Sequence, residues 1–263
     1  MAKLLLTARK LLVAALGAVL LLVGATTAQA AQSVREKPTI VLLHGAFADG
    51  SSWSGVTSRL QRDGYDVVAP AVPLRGIASD TSYLSGVLET IPGPKVLVGH
   101  SYGGALVSQL ADTPGVKSLV YVAAFIPEAG ETLGDLNKQF PGSELGGVTV
   151  PISYPGGLDL ALNTETAGPI LAADIPARQG AVLLAAQRPV AAAAFDEKVL
   201  KTAPAALPKY AVIPTGDKAI APAAERFMAD RAGATKVEIR GASHFVIVTQ
   251  PAAVTKVIER AAR

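Results

Sequence analysis

Six consecutive residues, Gly99-His100-Ser101-Tyr102-Gly103-Gly104, constrain this chain more than any other stretch. They follow the short apolar run Lys95–Val98 and lead into an amphipathic segment, Gly104–Asp112, that stops before Pro114. A strand that enters a helix through G-x-S-x-G has to turn sharply, and small residues on either side let Ser101 take a strained conformation with its hydroxyl over the sheet edge. The competing reading is a Gly-rich turn whose serine merely caps the helix.

The rest of the sequence alternates in the same way. Strands are expected at Thr39–Leu43, Tyr65–Ala69, Lys95–Val98, Lys117–Val122, Tyr210–Ile213 and Thr235–Ile239, and their nearly continuous apolar runs suit a parallel sheet covered on both faces. Helices are expected at Ser52–Asp63, at Asp80–Thr90 with Ser79 or Asp80 as cap, and at Pro222–Ala232 and Pro251–Arg263, each of the last two opened by proline. The fold class is therefore α/β, with a mostly parallel central sheet and helices on both faces. Between residues 127 and 208 the rhythm breaks into Gly-, Pro- and Ala-rich sequence. Some 80 residues with few aromatics make a poor independent core, so the segment reads as an inserted, mainly helical cap on one domain spanning 31–263.

A serine hydroxyl is a weak nucleophile and needs a base. The chain has three histidines. His44 ends the first strand and His100 lies inside the turn, so both are expected to hydrogen-bond backbone. His244, in a loop after the last strand, fits the order serine, acid, histidine that goes with this turn. The acid then lies between Ser101 and His244 at a strand end. Asp217, in Pro214-Thr215-Gly216-Asp217, leads, with Glu128 as the fallback; Asp159, Asp174 and Asp196 read as solvated charges of the cap. Two backbone N–H groups could receive a developing oxyanion: that of Tyr102, and that of Ala46 with Phe47 as alternative.

Together these residues resemble the α/β-hydrolase superfamily over nearly the whole chain after residue 30. His44-Gly45-Ala46-Phe47 with Trp53, the serine turn, Ala123-Ala124-Phe125-Ile126-Pro127, Asp217 with Arg226-Phe227, and Ser243-His244 look like the branch of plant methylesterases, hydroxynitrile lyases and small bacterial hydrolases. The resemblance implies a Ser101–His244–Asp217 triad, an Ala46/Tyr102 oxyanion hole and a helical cap. Lyases of that branch carry Thr after the first-strand histidine and Lys after the catalytic one; here those positions are Gly45 and Phe245. The departure favours cleavage of a small, mainly apolar carboxylic ester, with Phe47, Tyr102, Phe125 and Phe245 flanking the pocket; the alternative for these aromatics, for Phe125 above all, is packing in the core. The alternatives are a cofactor-free lyase or oxygenase using the His–Asp pair, and a non-catalytic ligand binder on the same fold.

Composition narrows the classes further. The absence of cysteine excludes disulfide scaffolds, thiolate nucleophiles and iron–sulfur clusters, and no metal or organic cofactor is implied. Lys3, Arg9 and Lys10 are the only charges before Arg35, and an apolar run from Leu11 to Val23 ends near Ala28-Gln29-Ala30. That pattern reads as a secretory signal peptide, residues 1–30, cleaved after Ala30, with an uncleaved membrane anchor as the alternative. Removing it takes away the whole net charge of +3 and leaves 21 basic and 21 acidic residues. Nucleic acid and anionic membrane then lose their support as partners, and the expected product is periplasmic or extracellular.

Overall fold

The computed structural model describes residues 37–263; the expected signal peptide lies outside the described residues. In chain order, β1 (Thr39–Leu43), α1 (Ser54–Arg62), β2 (Val67–Val68), α2 (Ile77–Glu89), β3 (Lys95–His100), α3 (Tyr102–Gln109) and β4 (Val116–Val122) come first. The inserted segment holds α4 (Leu133–Gln139), β5 (Thr149–Tyr154), β6 (Gly157–Leu162), α5 (Gly168–Leu171), α6 (Ala177–Ala185) and β7 (Val190–Ala191). The chain then returns with β8 (Lys209–Pro214), α7 (Pro222–Arg231), β9 (Thr235–Ile239), α8 (Val246–Thr249) and α9 (Pro251–Ala261). None of the described helices is long and apolar enough to cross a membrane.

The main sheet has the order β2-β1-β3-β4-β8-β9, with every pairing parallel. Because successive side chains point to opposite faces, each inner strand feeds two cores. Val41, Leu43, Leu97, Leu119, Tyr121 and Ile213 pack with residues of α2, α3 and α7. Ile40, Leu42, Val96, Val98, Val120 and Val212 pack with Trp53, α1 and α9. Each such aliphatic side chain contributes roughly 1.5–3 kcal/mol by leaving water, which explains why the strands read as unbroken apolar runs.

Strand order locates the crevice. From β1 the chain moves outward to β2, then returns to place β3 on the other side of β1, with Leu42 opposite Val98 and Leu43 opposite Gly99. The loops that follow β1 and β3 therefore diverge from adjacent strands, and ligands of open α/β sheets bind at such a switch point. Backbone strain collects along the same edge. Among the described residues, the non-glycine ones with positive φ are Phe47 (63°), Leu74 (62°), Ser101 (53°) and Ala123 (47°), in the segments following β1, β2, β3 and β4.

The structure corrects several boundaries. Only Val67–Val68 of the expected Tyr65–Ala69 strand pairs, as an edge strand against β1 alone. Helix α2 starts at Ile77 rather than Asp80, because its first N–H groups have a distant acceptor: Glu197 of the inserted segment takes those of Ile77 (2.6 Å) and Ala78 (2.9 Å). Helix α3 likewise begins at Tyr102, immediately after Ser101. The inserted segment is mixed, its helices accompanied by an antiparallel sheet β5-β6-β7. That hairpin turns through Pro155-Gly156 with Gly156 at φ 92°, the residue pair a type II turn uses and a signal the sequence carried.

Further polar contacts tie the cap to the core. Arg75 reaches Asp159 of β6 (2.9 Å) and the Pro189 carbonyl (3.1 Å), while the Gln109 amide group bonds the backbone of Leu200 and Lys201. Asp159 is thus an ion-pair partner rather than a solvated charge.

The glycines of the turn between β3 and α3 leave no room for a side chain. A Cβ on Gly99 would lie 2.3 Å from the Gly103 carbonyl oxygen, and one on Gly103 would lie 2.6 Å from that of Leu43. Both obstacles are backbone, which cannot swing aside. Gly99→Ala is expected to destabilise the fold by about 2–3 kcal/mol, whereas Gly86→Ala, with nothing within 4 Å, should gain about 0.5 kcal/mol. Urea unfolding of both variants checks this; a Gly99→Ala midpoint equal to wild type would contradict it.

Candidate active site

Ser101 sits between β3 and α3 at φ 53°, ψ −119°, and its side chain makes no capping hydrogen bond to the helix. The hydroxyl is therefore not used as a cap. Holding a non-glycine residue in this region costs about 1–3 kcal/mol, and the backbone around it supplies the restraint. Ser101 N–H donates to the Val122 carbonyl (3.2 Å), and the Ser101 carbonyl accepts from Gly104 (3.0 Å) and Phe125 (3.3 Å).

The acid partner of His244 is decided by distance. His244 Nδ1 lies 2.6 Å from Asp217 Oδ2, both side chains being almost fully buried. Asp217 Oδ1 also accepts from the N–H groups of Ala219 (2.7 Å) and Ile220 (3.0 Å), so the carboxylate is fixed from both ends. A carboxylate can only accept here, so Nδ1 carries the proton and the neutral imidazole keeps its lone pair on Nε2. Glu128, the fallback, instead pairs with Arg231 at 3.2 Å.

The other two histidines are tied to backbone. His44 Nε2 accepts from Val72 N–H (2.9 Å) and its Nδ1 donates to the Gly45 carbonyl (2.9 Å). His100 Nε2 donates to the carbonyl of His244 itself (3.0 Å), and the two rings lie 4.7 Å apart. That bond ties the His244 loop to the residue preceding Ser101. Burial lowers His44 to about 4 and pushes His100 well below its ordinary value.

The loop Gly45-Ala46-Phe47 faces the serine turn. A Cβ on Gly45 would stand 2.7 Å from Ser101 Cβ, so a side chain at this position would press on the serine. Tyr102 is the first residue of α3, where an N–H has no intrahelical acceptor. The N–H groups of Ala46 and Phe47 have no hydrogen-bond partner among the described residues. The Tyr102 side chain points away from the turn, buried, and donates to Asp80 Oδ2 (2.9 Å). Asp80, expected only as a possible helix cap, also accepts from Arg75 N–H (3.0 Å); burial raises its carboxyl.

Of the aromatics expected to flank a pocket, Phe47 lines a cavity of about 540 Å³ with Asn137, Phe140, Leu160 and Phe195 of the cap. Phe245 stacks on His100 with centroids 5.8 Å apart, and with Phe47 borders a narrower cleft. Phe125 and Tyr102 are core residues, 1% and 0% exposed, and line neither space. A larger groove of about 670 Å³, between α2 and residues 109–114, contains none of the residues at the switch point. Asp174 is also more than a solvated charge: it accepts a short hydrogen bond from Ser243, and Phe245 N–H donates to the Leu171 carbonyl (3.0 Å). The cap thereby holds the residues on either side of His244. Sequence reasoning missed these roles because each depends on a partner distant in the chain.

A profile described as the Alpha/beta hydrolase family matches residues 40–257. The chain belongs to this family. It is 34% identical over 107 residues to a carbendazim hydrolyzing esterase of Nocardioides sp. (strain SG-4G), covering 35% of this chain and 44% of that protein. Its identity to a putative chloroplastic methylesterase of Arabidopsis thaliana is 32% over 111 residues, 36% of this chain and 28% of that one. The alignments thus span less than half of these curated relatives. Among solved structures, polyneuridine aldehyde esterase superposes with a TM-score of 0.72 at 20% identity, over 86% of this chain and 99% of that chain. Identity at that level speaks for the shared fold. The likeness to plant methylesterases noted in the motifs is in keeping with these relatives.

The histidine chemistry has a consequence for stability. An imidazole whose value falls on folding binds its proton more readily in the unfolded chain, so stability is lost as pH falls from about 6.5 toward 4. For His44, lowered from 6.5 to about 4, the loss amounts to about 3 kcal/mol. Urea unfolding at pH 7 and pH 4.5 should show it, with a smaller pH effect in His44→Gln; equal pH dependence in the two proteins would count against this assignment.

Proposed function

We propose that this α/β hydrolase is a serine esterase that cleaves small, mainly apolar carboxylic esters through an acyl-enzyme, with Ser101, His244 and Asp217 as the catalytic residues. The observation that carries the reading is the buried 2.6 Å hydrogen bond from His244 to Asp217, at the same sheet edge as Ser101 in its strained turn. Ser101 Oγ attacks the ester carbonyl carbon while His244 Nε2 takes the hydroxyl proton. Asp217 keeps Nδ1–H in place and stabilises the imidazolium. Charge developing on the carbonyl oxygen meets the N–H groups of Tyr102 and Ala46, each such donor contributing on the order of 3 kcal/mol. The tetrahedral intermediate collapses as His244 protonates the departing alkoxide. Water, deprotonated by His244, then releases the acid.

Phe47 and Phe245, which border the cleft at the switch-point loop, support an apolar substrate; the cavity that Phe47 shares with Phe140, Leu160 and Phe195 is lined by none of Ser101, His244 and Asp217. Gly45 and Phe245 weigh against cyanohydrin cleavage, since neither supplies a hydroxyl or a cation for a cyanide leaving group. The names of the relatives, a carbendazim hydrolyzing esterase and a putative methylesterase among them, fit ester hydrolysis.

Turnover of p-nitrophenyl acetate or butyrate by residues 31–263 is expected to fall roughly 10⁶-fold in Ser101→Ala. A fluorophosphonate probe should label the wild-type protein on Ser101 and leave the variant unmarked. Retained turnover in Ser101→Ala would exclude the acyl-enzyme and leave the His–Asp pair acting alone; absence of both turnover and label in wild type would point to a binding protein.

The basic, apolar and Ala-x-Ala pattern of residues 3–30 supports export as part of the proposal. The full chain made in a Gram-negative host is expected in the periplasm or medium with Ala31 as its first residue. Recovery in the membrane fraction with the first 30 residues intact would establish the anchored alternative instead.

A further inference from the structure

Glu225, in the first turn of α7, is 2% exposed. Helix α7 opens with Pro222 and packs on β8, whose following turn carries Asp217. The Glu225 carboxyl is buried as a close neighbour of the Asp217 carboxyl, and its Oε1 has no partner among the described residues. Asp217 already accepts from three N–H groups, those of Ala219, Ile220 and His244. Engaged in that way it has no proton to offer. Two ionised carboxylates in contact, closed off from water, repel each other without compensation. A single proton on Glu225 turns the contact into a hydrogen bond.

We propose that Glu225 is a positioning residue of the candidate site: it remains a neutral carboxylic acid and donates a hydrogen bond to the Asp217 carboxylate, fixing the group that holds His244. The catalytic part of this inference rests on the esterase reading above. Burial first, and then the charge of Asp217, push Glu225 well above the usual carboxylate range. The other charges acting on it are Arg226 of its own helix and Glu238 of β9. These two are paired with each other at the surface, Nε to Oε1 at 2.7 Å, so no free cation compensates a charge on Glu225. Helix α4, which also packs on α7, contributes none of these charges.

A neutral donor on Asp217 draws off part of the negative charge that His244 feels. Glu225→Gln keeps a donor and the zero charge; Glu225→Leu removes the donor. Titration of the His244 ring by proton NMR, assigned with His244→Ala, reads the coupling directly. The acid limb of kcat/KM for p-nitrophenyl acetate reads it in turnover. In Glu225→Gln both should stay at the wild-type position. In Glu225→Leu the unshielded Asp217 should move both upward by about one unit, and kcat should drop about tenfold with little change in KM.

A downward move in Glu225→Gln would mean that a negative charge had been removed, so that Glu225 was ionised, and would overturn the proposal. Glu225→Leu matching wild type in both readouts would overturn it as well. Should Glu225→Leu fail to fold, the direction of the Glu225→Gln shift still decides. If wild-type Ser101 takes no fluorophosphonate label, the esterase reading fails, and the NMR titrations still test the Glu225–Asp217 bond.

Discussion

Backbone pressed against backbone at the β3–α3 turn is the constraint on which the site depends. Gly99 and Gly103 meet carbonyl oxygens at distances that leave no room for a Cβ, and this closeness lets a strand become a helix with one residue between them. Ser101 is that residue, at φ 53°. With the helix starting at the next position, the Tyr102 N–H is left without an intrahelical acceptor. Since β1 and β3 are neighbours at a switch point, the Gly45–Phe47 loop is brought against the serine in the same step. The strain is tolerated because strands on both sides of β3 hold the turn, through the parallel ladder with β1 and β4 and the bond from Ser101 N–H to Val122.

Three histidines lie around this turn and are set apart by their partners. His44 and His100 bond to backbone and are kept uncharged by burial. His244 alone is held by a carboxylate. His100 also serves as a strut, since its bond to the His244 carbonyl links the last loop of the sheet to the turn in β3–α3. The cap takes part through Asp174, Leu171 and Arg75, so its helices and small sheet are joined to the same residues they cover.

Much of this was legible in the sequence for physical reasons that differ from element to element. Thr39–Leu43 and Thr235–Ile239 match the structure residue for residue, because a run of apolar and β-branched side chains ended by a turn carries its own boundaries. The Pro155-Gly156 hairpin was not read from the sequence: its two six-residue strands lie in a Gly- and Pro-rich stretch, and the alternating Val150, Ile152 and Tyr154 of β5 form an exposed face rather than a core one. The start of α2 was misplaced because its cap is Glu197, 120 residues away from Ile77. For Phe125 a pocket wall and the core were both open, since an aromatic after a strand reads alike in either setting, and it is core.

Sequence was enough for the order of strands and helices, the serine turn and the short set of groups able to act there, all of which follow from periodicity and turn chemistry within a few residues. Asp217 was already preferred to Glu128 from its place in the chain; its hydrogen bond to His244, the pairing of Glu128 with Arg231, the burial of Glu225 beside Asp217, and the engagement of Asp174, Glu197 and Arg75 came only with the tertiary structure. These are matters of which buried charge finds which partner. Desolvation and hydrogen-bond distance settle them between residues that chain order leaves far apart.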